Sequence, residues 1–256
     1  MAKAKAKARI RLVTRGDDSG SCNTANVAIW NAYKKGILRN TSIMVPAPAF
    51  PEAAEMYSED KGLCVGLHIT LNAEWDAVRW GPVLPPNEVP SIVDPKGHLF
   101  KTTGALNDNH PKLDELVAEV QAQLDLARAG GLDIKYMDTH MGVSWVGGLK
   151  EPLEKLAERE GLIYSHIAAS GLPRLEGEFA NPVQALIARL DAAEPGTYVV
   201  VGHPCYDRVD VRMFDHAGLK ESQGVARDWQ RRIFMDQEIL DYCRKKGVVP
   251  IRYDEI

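Results

Sequence analysis

Short apolar runs alternate with amphipathic helical stretches along most of this chain, and few folds accept that rhythm. Apolar runs fall at 9–15, 41–45, 64–71, 133–140, 162–168, 197–202 and 248–253, and helical patterns at 23–36, 49–57, 113–129, 149–160, 181–192 and 224–246. The third run, Cys64-Val65-Gly66-Leu67-His68-Ile69-Thr70-Leu71, is apolar almost throughout, as a parallel strand covered on both faces should be. Seven strands alternating with helices predict a parallel sheet with right-handed crossovers. No Gly-rich phosphate loop follows the first strand, which weighs against a dinucleotide-binding open sheet. Polar and titratable residues instead collect at strand C-terminal ends, where a barrel builds its active site. The expected fold is α/β: a distorted or incomplete (β/α) barrel of about seven parallel strands with helices outside.

The rhythm breaks once. Residues 73–111 are rich in Pro, Gly, Trp and Asn and show no helical period, so they read as a long loop insertion, a lid or a binding wall. Trp75, Trp80, Leu99 and Phe100 are its candidates for stacking on a sugar or for anchoring the loop to the body. No repeat or linker marks a boundary, so 1–256 is expected to form one domain, a size that can bury a large core.

A net charge of −4 gives no reason to expect nucleic acid or a membrane surface as partner, and no run approaches the roughly 20 apolar residues a span requires. The four cysteines are far apart and form no CxxC pair, which fits a reducing, cytoplasmic setting. The basic opening Met-Ala-Lys-Ala-Lys-Ala-Lys-Ala is followed by no apolar h-region and reads as a frayed tail rather than a secretory signal. Homo-oligomerisation is left open.

The chemistry concentrates at Thr14-Arg15-Gly16-Asp17-Asp18-Ser19-Gly20. An Asp-Asp pair between a strand and a helix is either a turn with an Asp N-cap or a carboxylate pair gathered around a cation. His68, late in the third strand, His140 after the fourth and His203 after the sixth occupy equivalent strand-end positions. Asp18, His68 and His140 together offer one carboxylate and two imidazoles, a competent set for one divalent hydrolytic metal ion. Asp17 would then stand beside the metal as proton acceptor, and His203 on the opposite rim as proton donor to a leaving group. Asp138, two residues before His140, is placed to hold an imidazole by a hydrogen bond. His98, His110, His166 and His216 carry no role beyond lining a pocket, with His166 the strongest of the four because it falls in a strand.

Gly16-Asp17-Asp18-Ser19-Gly20, the stretch 35–45 through Gly36-Ile37 to Ser42-Ile43-Met44-Val45, and Val65-Gly66-Leu67-His68-Ile69-Thr70-Leu71-Asn72 resemble the motifs of the YdjC-like carbohydrate deacetylases. The similarity runs on through 119–123, Asp138-Thr139-His140, Gly202-His203-Pro204 and from Arg227 to the end. The resemblance implies a distorted (β/α) barrel that removes an acetyl group from an N-acetylated sugar or small oligosaccharide. It implies a magnesium or zinc ion on Asp18, His68 and His140, with Asp17 and His203 moving protons. Two departures stand out: Ser19 replaces the usual aromatic residue, and Met141-Gly142-Val143 replaces a histidine-rich continuation after His140. The competing expectations are a barrel that binds a sugar-like ligand without turnover and a metallohydrolase of another ester or amide bond.

Overall fold

β1 (Ile10–Ser19) is the central strand, and nearly every residue along it is buried. The computed structural model describes residues 10–165, 168–216, 218–219 and 222–256. The chain continues through α1 (Asn23–Lys35), β2 (Asn40–Ile43), α2 (Phe50–Ser58) and β3 (Cys64–Ile69). After the long insertion come α4 (Leu113–Ala129), β4 (Ile134–Thr139) and α5 (Lys150–Glu160), with α3 (Thr103–Asp108) inside the insertion. β5 (Ile163–Tyr164), β6 (Ser170–Gly171), α6 (Pro182–Asp191), β7 (Gly196–Gly202), α7 (Gln223–Met235), α8 (Gln237–Lys246) and β8 (Val248–Ile251) complete it.

All the ladders between these strands are parallel, in the order β5-β4-β3-β2-β1-β7-β6. One edge of β1 pairs with β7 from Ile10 to Gly16. The other edge is shared, by β8 over Ile10 to Val13 and by β2 from Arg15 onward. Asn40 seals that change of partner: its Nδ2 donates to Thr14 O and Ile251 O, both at 3.0 Å, and its Oδ1 accepts from Tyr253 N at 2.8 Å. The sheet is curled. In a flat sheet β1 and β4 would stand about 14 Å apart, yet Arg15 Nη1 on β1 lies 2.7 Å from Asp138 Oδ2 on β4, a contact that crosses the inside of the curl. Among the described residues no ladder joins β5 to β6, so the arrangement is a half-barrel with helices around it, as the alternation predicts.

Three local readings are corrected. The fifth expected strand, 162–168, contains only the two-residue β5 among its described residues, and a further short strand, β6, follows beyond it and brings the sheet to eight strands. The long helix expected over 224–246 breaks at Asp236, which leaves the helical region (φ −61°, ψ 139°) and caps α8 through a hydrogen bond from Glu238 N. Residues 73–111 are not wholly irregular: they include α3, capped by the Thr102 hydroxyl, and a 3-10 turn at Pro90–Ile92.

α4 shows how the insertion is held. Leu116, Val120, Leu124 and Ala127 recur on one face and are fully buried, each Leu or Val contributing roughly 1.5–3 kcal/mol. Glu119 and Gln123 lie buried on the same face, where apolar residues would be expected. Glu119 accepts from the backbone N–H groups of Val83 and Leu84 at 2.8 and 3.0 Å, and Gln123 closes a two-bond clamp on the Thr70 backbone. These bonds fix the chain just before and just after residues 73–76. Gly66 is needed in β3 because a Cβ there would meet the Tyr136 ring at 2.4 Å, and Tyr136 is itself tied to the Ser42 hydroxyl.

Candidate metal centre and active site

The site begins as an irregularity in β1. The β1–β2 register shifts between Gly16 and Ser19, and Asp18 sits there with φ +62°, a left-handed conformation that a non-glycine residue adopts at a cost. Neither Asp17 nor Asp18 caps α1, whose N-cap is Cys22 with no side-chain hydrogen bond. The pair serves the interior instead: Asp17 and Asp18 are both buried.

Asp18 Oδ1, His68 Nε2 and His140 Nδ1 face one another. The three separations are 3.4 Å (Asp18 to His68), 3.3 Å (Asp18 to His140) and 3.3 Å (His68 to His140). Both imidazoles are locked from behind. His68 Nδ1 is 2.8 Å from Asp138 Oδ1, and His140 Nε2 is 3.0 Å from Glu74 Oε2. Each carboxylate takes the N–H of its histidine, so in the neutral imidazole the facing nitrogen keeps its lone pair for the centre. Asp18 Oδ2 accepts from Arg227 Nη2 at 2.7 Å, whereas Asp18 Oδ1 is buried with no hydrogen-bond partner.

The three donors fit a divalent ion on three grounds. The orphaned Asp18 Oδ1 lacks only an electropositive partner. An ion with bonds of about 2.0–2.1 Å in tetrahedral array sets its donors about 3.3 Å apart, the spacing of these three atoms. Charge agrees as well: among the described residues, Asp17, Asp18, Glu74 and Asp138 face only two guanidinium groups, Arg15 and Arg227, which leaves the cluster two positive charges short. Without an ion, protons fill the deficit. Burial opposes protonation of His68, but Asp138 and Asp17 outweigh it and raise its pKa to about 10. For His140, burial is likewise outweighed by Glu74 and Asp18, and the pKa rises to about 9. Burial disfavours ionised Asp18, yet Arg227, then His203, with His140 and His68 close by, hold its carboxyl well below the usual carboxylate range.

Around this centre lies an open cleft of about 340 Å³, into which Asp17, His203, Trp75, Met141, His216 and Arg227 also project. Asp17 is gripped by Arg15 through two hydrogen bonds, Nε to Oδ1 at 2.7 Å and Nη2 to Oδ2 at 2.9 Å. His203 follows β7, and its backbone N–H and ring Nδ1 both donate to Gln230 Oε1 on α7, at 2.7 and 2.8 Å. That leaves Nε2 as the atom through which His203 exchanges protons. Asp138 therefore holds an imidazole as expected, and all five candidate residues meet at one mouth.

Other sequence readings fare differently. His98 pairs with Asp94 and His110 is exposed, both away from the cleft, while His166 lies outside the described residues. Trp80 and Leu99 are buried anchors: Trp80 Nε1 donates to Asn72 O, and Leu99 N donates to Trp80 O. Trp75 lines the cleft but offers little free face, since His216 stacks on it at 5.7 Å and the Arg227 guanidinium lies 5.8 Å from its ring. Glu74, Arg227, Arg15 and Gln230 were not singled out from the sequence. Glu74 had one signal, an acidic residue close behind a strand carrying a ligand histidine. The other three had none.

The family model described as YdjC-like protein matches residues 11–245. The chain belongs to the YdjC-like family. Every candidate residue falls within the YdjC-like stretch. The carbohydrate deacetylase of Thermoanaerobacter pseudethanolicus is 26% identical over 255 residues, covering 94% of this chain and 97% of its own. That of Clostridium beijerinckii is 26% identical over 261 residues, covering 96% and 100%, and that of Listeria welshimeri is 31% identical over 156 residues, covering 60% and 59%. A crystal structure of an Enterococcus faecalis V583 protein, provisionally assigned to cellobiose-phosphate cleavage, superposes with a TM-score of 0.80 at 20% identity, covering 97% of this chain and 99% of that one. At that identity the likeness shows that the YdjC-like fold is shared.

Proposed function

We propose that this YdjC-like protein is a metal-dependent carbohydrate deacetylase, which hydrolyses the acetyl amide of an N-acetylated sugar or small oligosaccharide. The observation that carries the reading is the triangle of Asp18 Oδ1, His68 Nε2 and His140 Nδ1, backed by carboxylates and lying beside Asp17 and His203 in one cleft. Relatives named carbohydrate deacetylase that align over nearly the whole chain support the same reaction. Two imidazoles, one carboxylate and donor separations of 3.3–3.4 Å favour zinc over magnesium, which prefers oxygen donors in octahedral array.

Asp18, His68 and His140 would hold a divalent ion, which would supply an acidified water molecule and a polarised acetyl carbonyl. Asp17 accepts the proton that the attacking water loses. Arg227 keeps Asp18 ionised and turned toward the centre. As the carbon–nitrogen bond breaks, His203, held by Gln230, delivers a proton from Nε2 to the departing nitrogen. Acetate and the free amine of the sugar are the products. The loop carrying Glu74 and Trp75 forms one wall of the cleft, and Met141, which stands in place of the family's histidine-rich continuation, forms another.

The chain reads as one domain, because one hydrophobic core runs from Ile10 to Val248. Its four cysteines are free and buried, which supports a cytoplasmic location, and no described helix is long and apolar enough to cross a membrane. Homo-oligomerisation stays open to sedimentation. The decisive experiment pairs elemental analysis of the protein and its His140→Ala variant with acetate release from a panel of N-acetylated sugars. One zinc per chain, lost in the variant together with acetate release, is the expected result. Metal without acetate from any sugar overturns the deacetylase assignment.

A further inference from the structure

Asp17 and Asp138 lie on strands at opposite sides of the curl, yet one side chain holds both. Arg15 precedes Asp17 by two residues on β1, so the strand's period points both side chains to the same face. Its Nε and Nη2 take the two oxygens of Asp17 at 2.7 and 2.9 Å, and its Nη1 reaches Asp138 Oδ2 at 2.7 Å. Tyr253 Oη and Ser165 Oγ accept from Nη1 at 3.2 and 3.4 Å. Asp138 in turn holds His68 Nδ1 at 2.8 Å. The guanidinium thus ties the residue read as base to the carboxylate that aims a metal-facing imidazole. A planar fork can serve two carboxylates at once, whereas the point charge of an ammonium cannot.

We propose that Arg15 is a positioning residue of the deacetylation, one guanidinium that fixes Asp17 at its working place and, through Asp138, sets the metal-facing edge of His68. The catalytic half rests on the reading of Asp17 as base; the metal half does not. Both oxygens of Asp17 are engaged by Arg15, which holds the carboxylate in one orientation where it lines the cleft. Asp138 Oδ2 accepts from both Arg15 and the Ser42 hydroxyl, at 2.7 and 2.9 Å, which fixes the carboxylate and limits the freedom of His68 to turn.

The test compares the full-length parent with Arg15→Lys, Asp17→Asn and the double variant. Zinc affinity is read by chelator competition, kcat and KM at saturating zinc, and folding by Tm. Arg15→Lys keeps the charge, so any change reports geometry. It is expected to weaken zinc about 10-fold, or to lower kcat about 10–100-fold with KM within threefold, or both. Where kcat falls, the loss should largely vanish in the Asp17→Asn background. Both readouts unchanged, or a kcat loss of full size without Asp17, overturns the proposal. A merely structural role would lower Tm and leave zinc affinity and kcat where they were, which also overturns it. Should Arg15→Lys fail to fold, Arg15→Gln takes the same kcat comparison. If the parent releases no acetate from any sugar, the deacetylase assignment falls by itself, and zinc affinity of Arg15→Lys still decides whether Arg15 anchors the metal side.

Discussion

Glu74 Oε2 lies 3.0 Å from His140 Nε2, and this contact decides which nitrogen of His140 faces Asp18. A residue of the long insertion thereby sets the tautomer of a residue at the end of β4. Glu74→Gln removes the carboxylate that holds the N–H and one negative charge of the cluster. Zinc affinity should fall about 10–100-fold while Tm of the metal-free protein changes little, as chelator competition and a melting curve would show.

Metal binding should release protons. With the pKa of metal-free His68 near 10 and of His140 near 9, both imidazoles carry protons at neutral pH. Binding an ion expels close to two protons, so affinity rises with pH between about 6 and 9. Calorimetry in buffers of different ionisation enthalpy measures the number. The metal-free fold behaves in the opposite sense: both pKa values are raised above 6.5, so the stability they contribute is complete below pH 6.5 and is lost as pH climbs through about 9 and 10. A metal-free protein whose Tm rises from pH 7 to pH 10 would contradict the assignment.

Gln230 determines how His203 presents Nε2. Gln230→Leu should lower kcat about 10-fold with little change in KM or metal content, because the imidazole loses its orientation while the ion keeps its ligands. A change confined to KM would move His203 from proton donor to substrate contact.

Asn40→Ala should cost about 3 kcal/mol, read from urea unfolding, because it removes three hydrogen bonds in a buried place, to the carbonyls of Thr14 and Ile251 and from the N–H of Tyr253. Asn40→Asp should be worse, since a buried carboxylate would face two carbonyl oxygens.

The fold was readable because its signal is repeated. A half-barrel writes the same apolar-strand, amphipathic-helix unit many times, and residues 113–129 match α4 end for end. What blurred were features set by a single residue, such as the break at Asp236, whose cap on Glu238 N gives no change in helical period. The candidate site divides along the same line. Asp17, Asp18, His68, His140 and His203 stand at strand ends and carry chemistry that draws notice wherever it occurs. Arg15 and Gln230 read as ordinary polar surface, one in a strand and one in a helix, and Arg227 as an ordinary basic helix residue. Their roles arise only when the curl brings β1 opposite β4 and sets α7 beside β7. Glu119 and Gln123, on the buried face of α4, are the ties that hold the chain on either side of Glu74.

The cluster's shortfall of two positive charges has a practical consequence. One divalent ion restores neutrality, and so do two protons on His68 and His140, within the same cage of hydrogen bonds. Folded protein and loaded enzyme are therefore separate populations that share one shape. A preparation stripped by a chelator should crystallise and migrate much like the active one, differing in its melt by the stabilisation the lost ion supplied, and a lack of turnover in such material would report its handling rather than its chemistry.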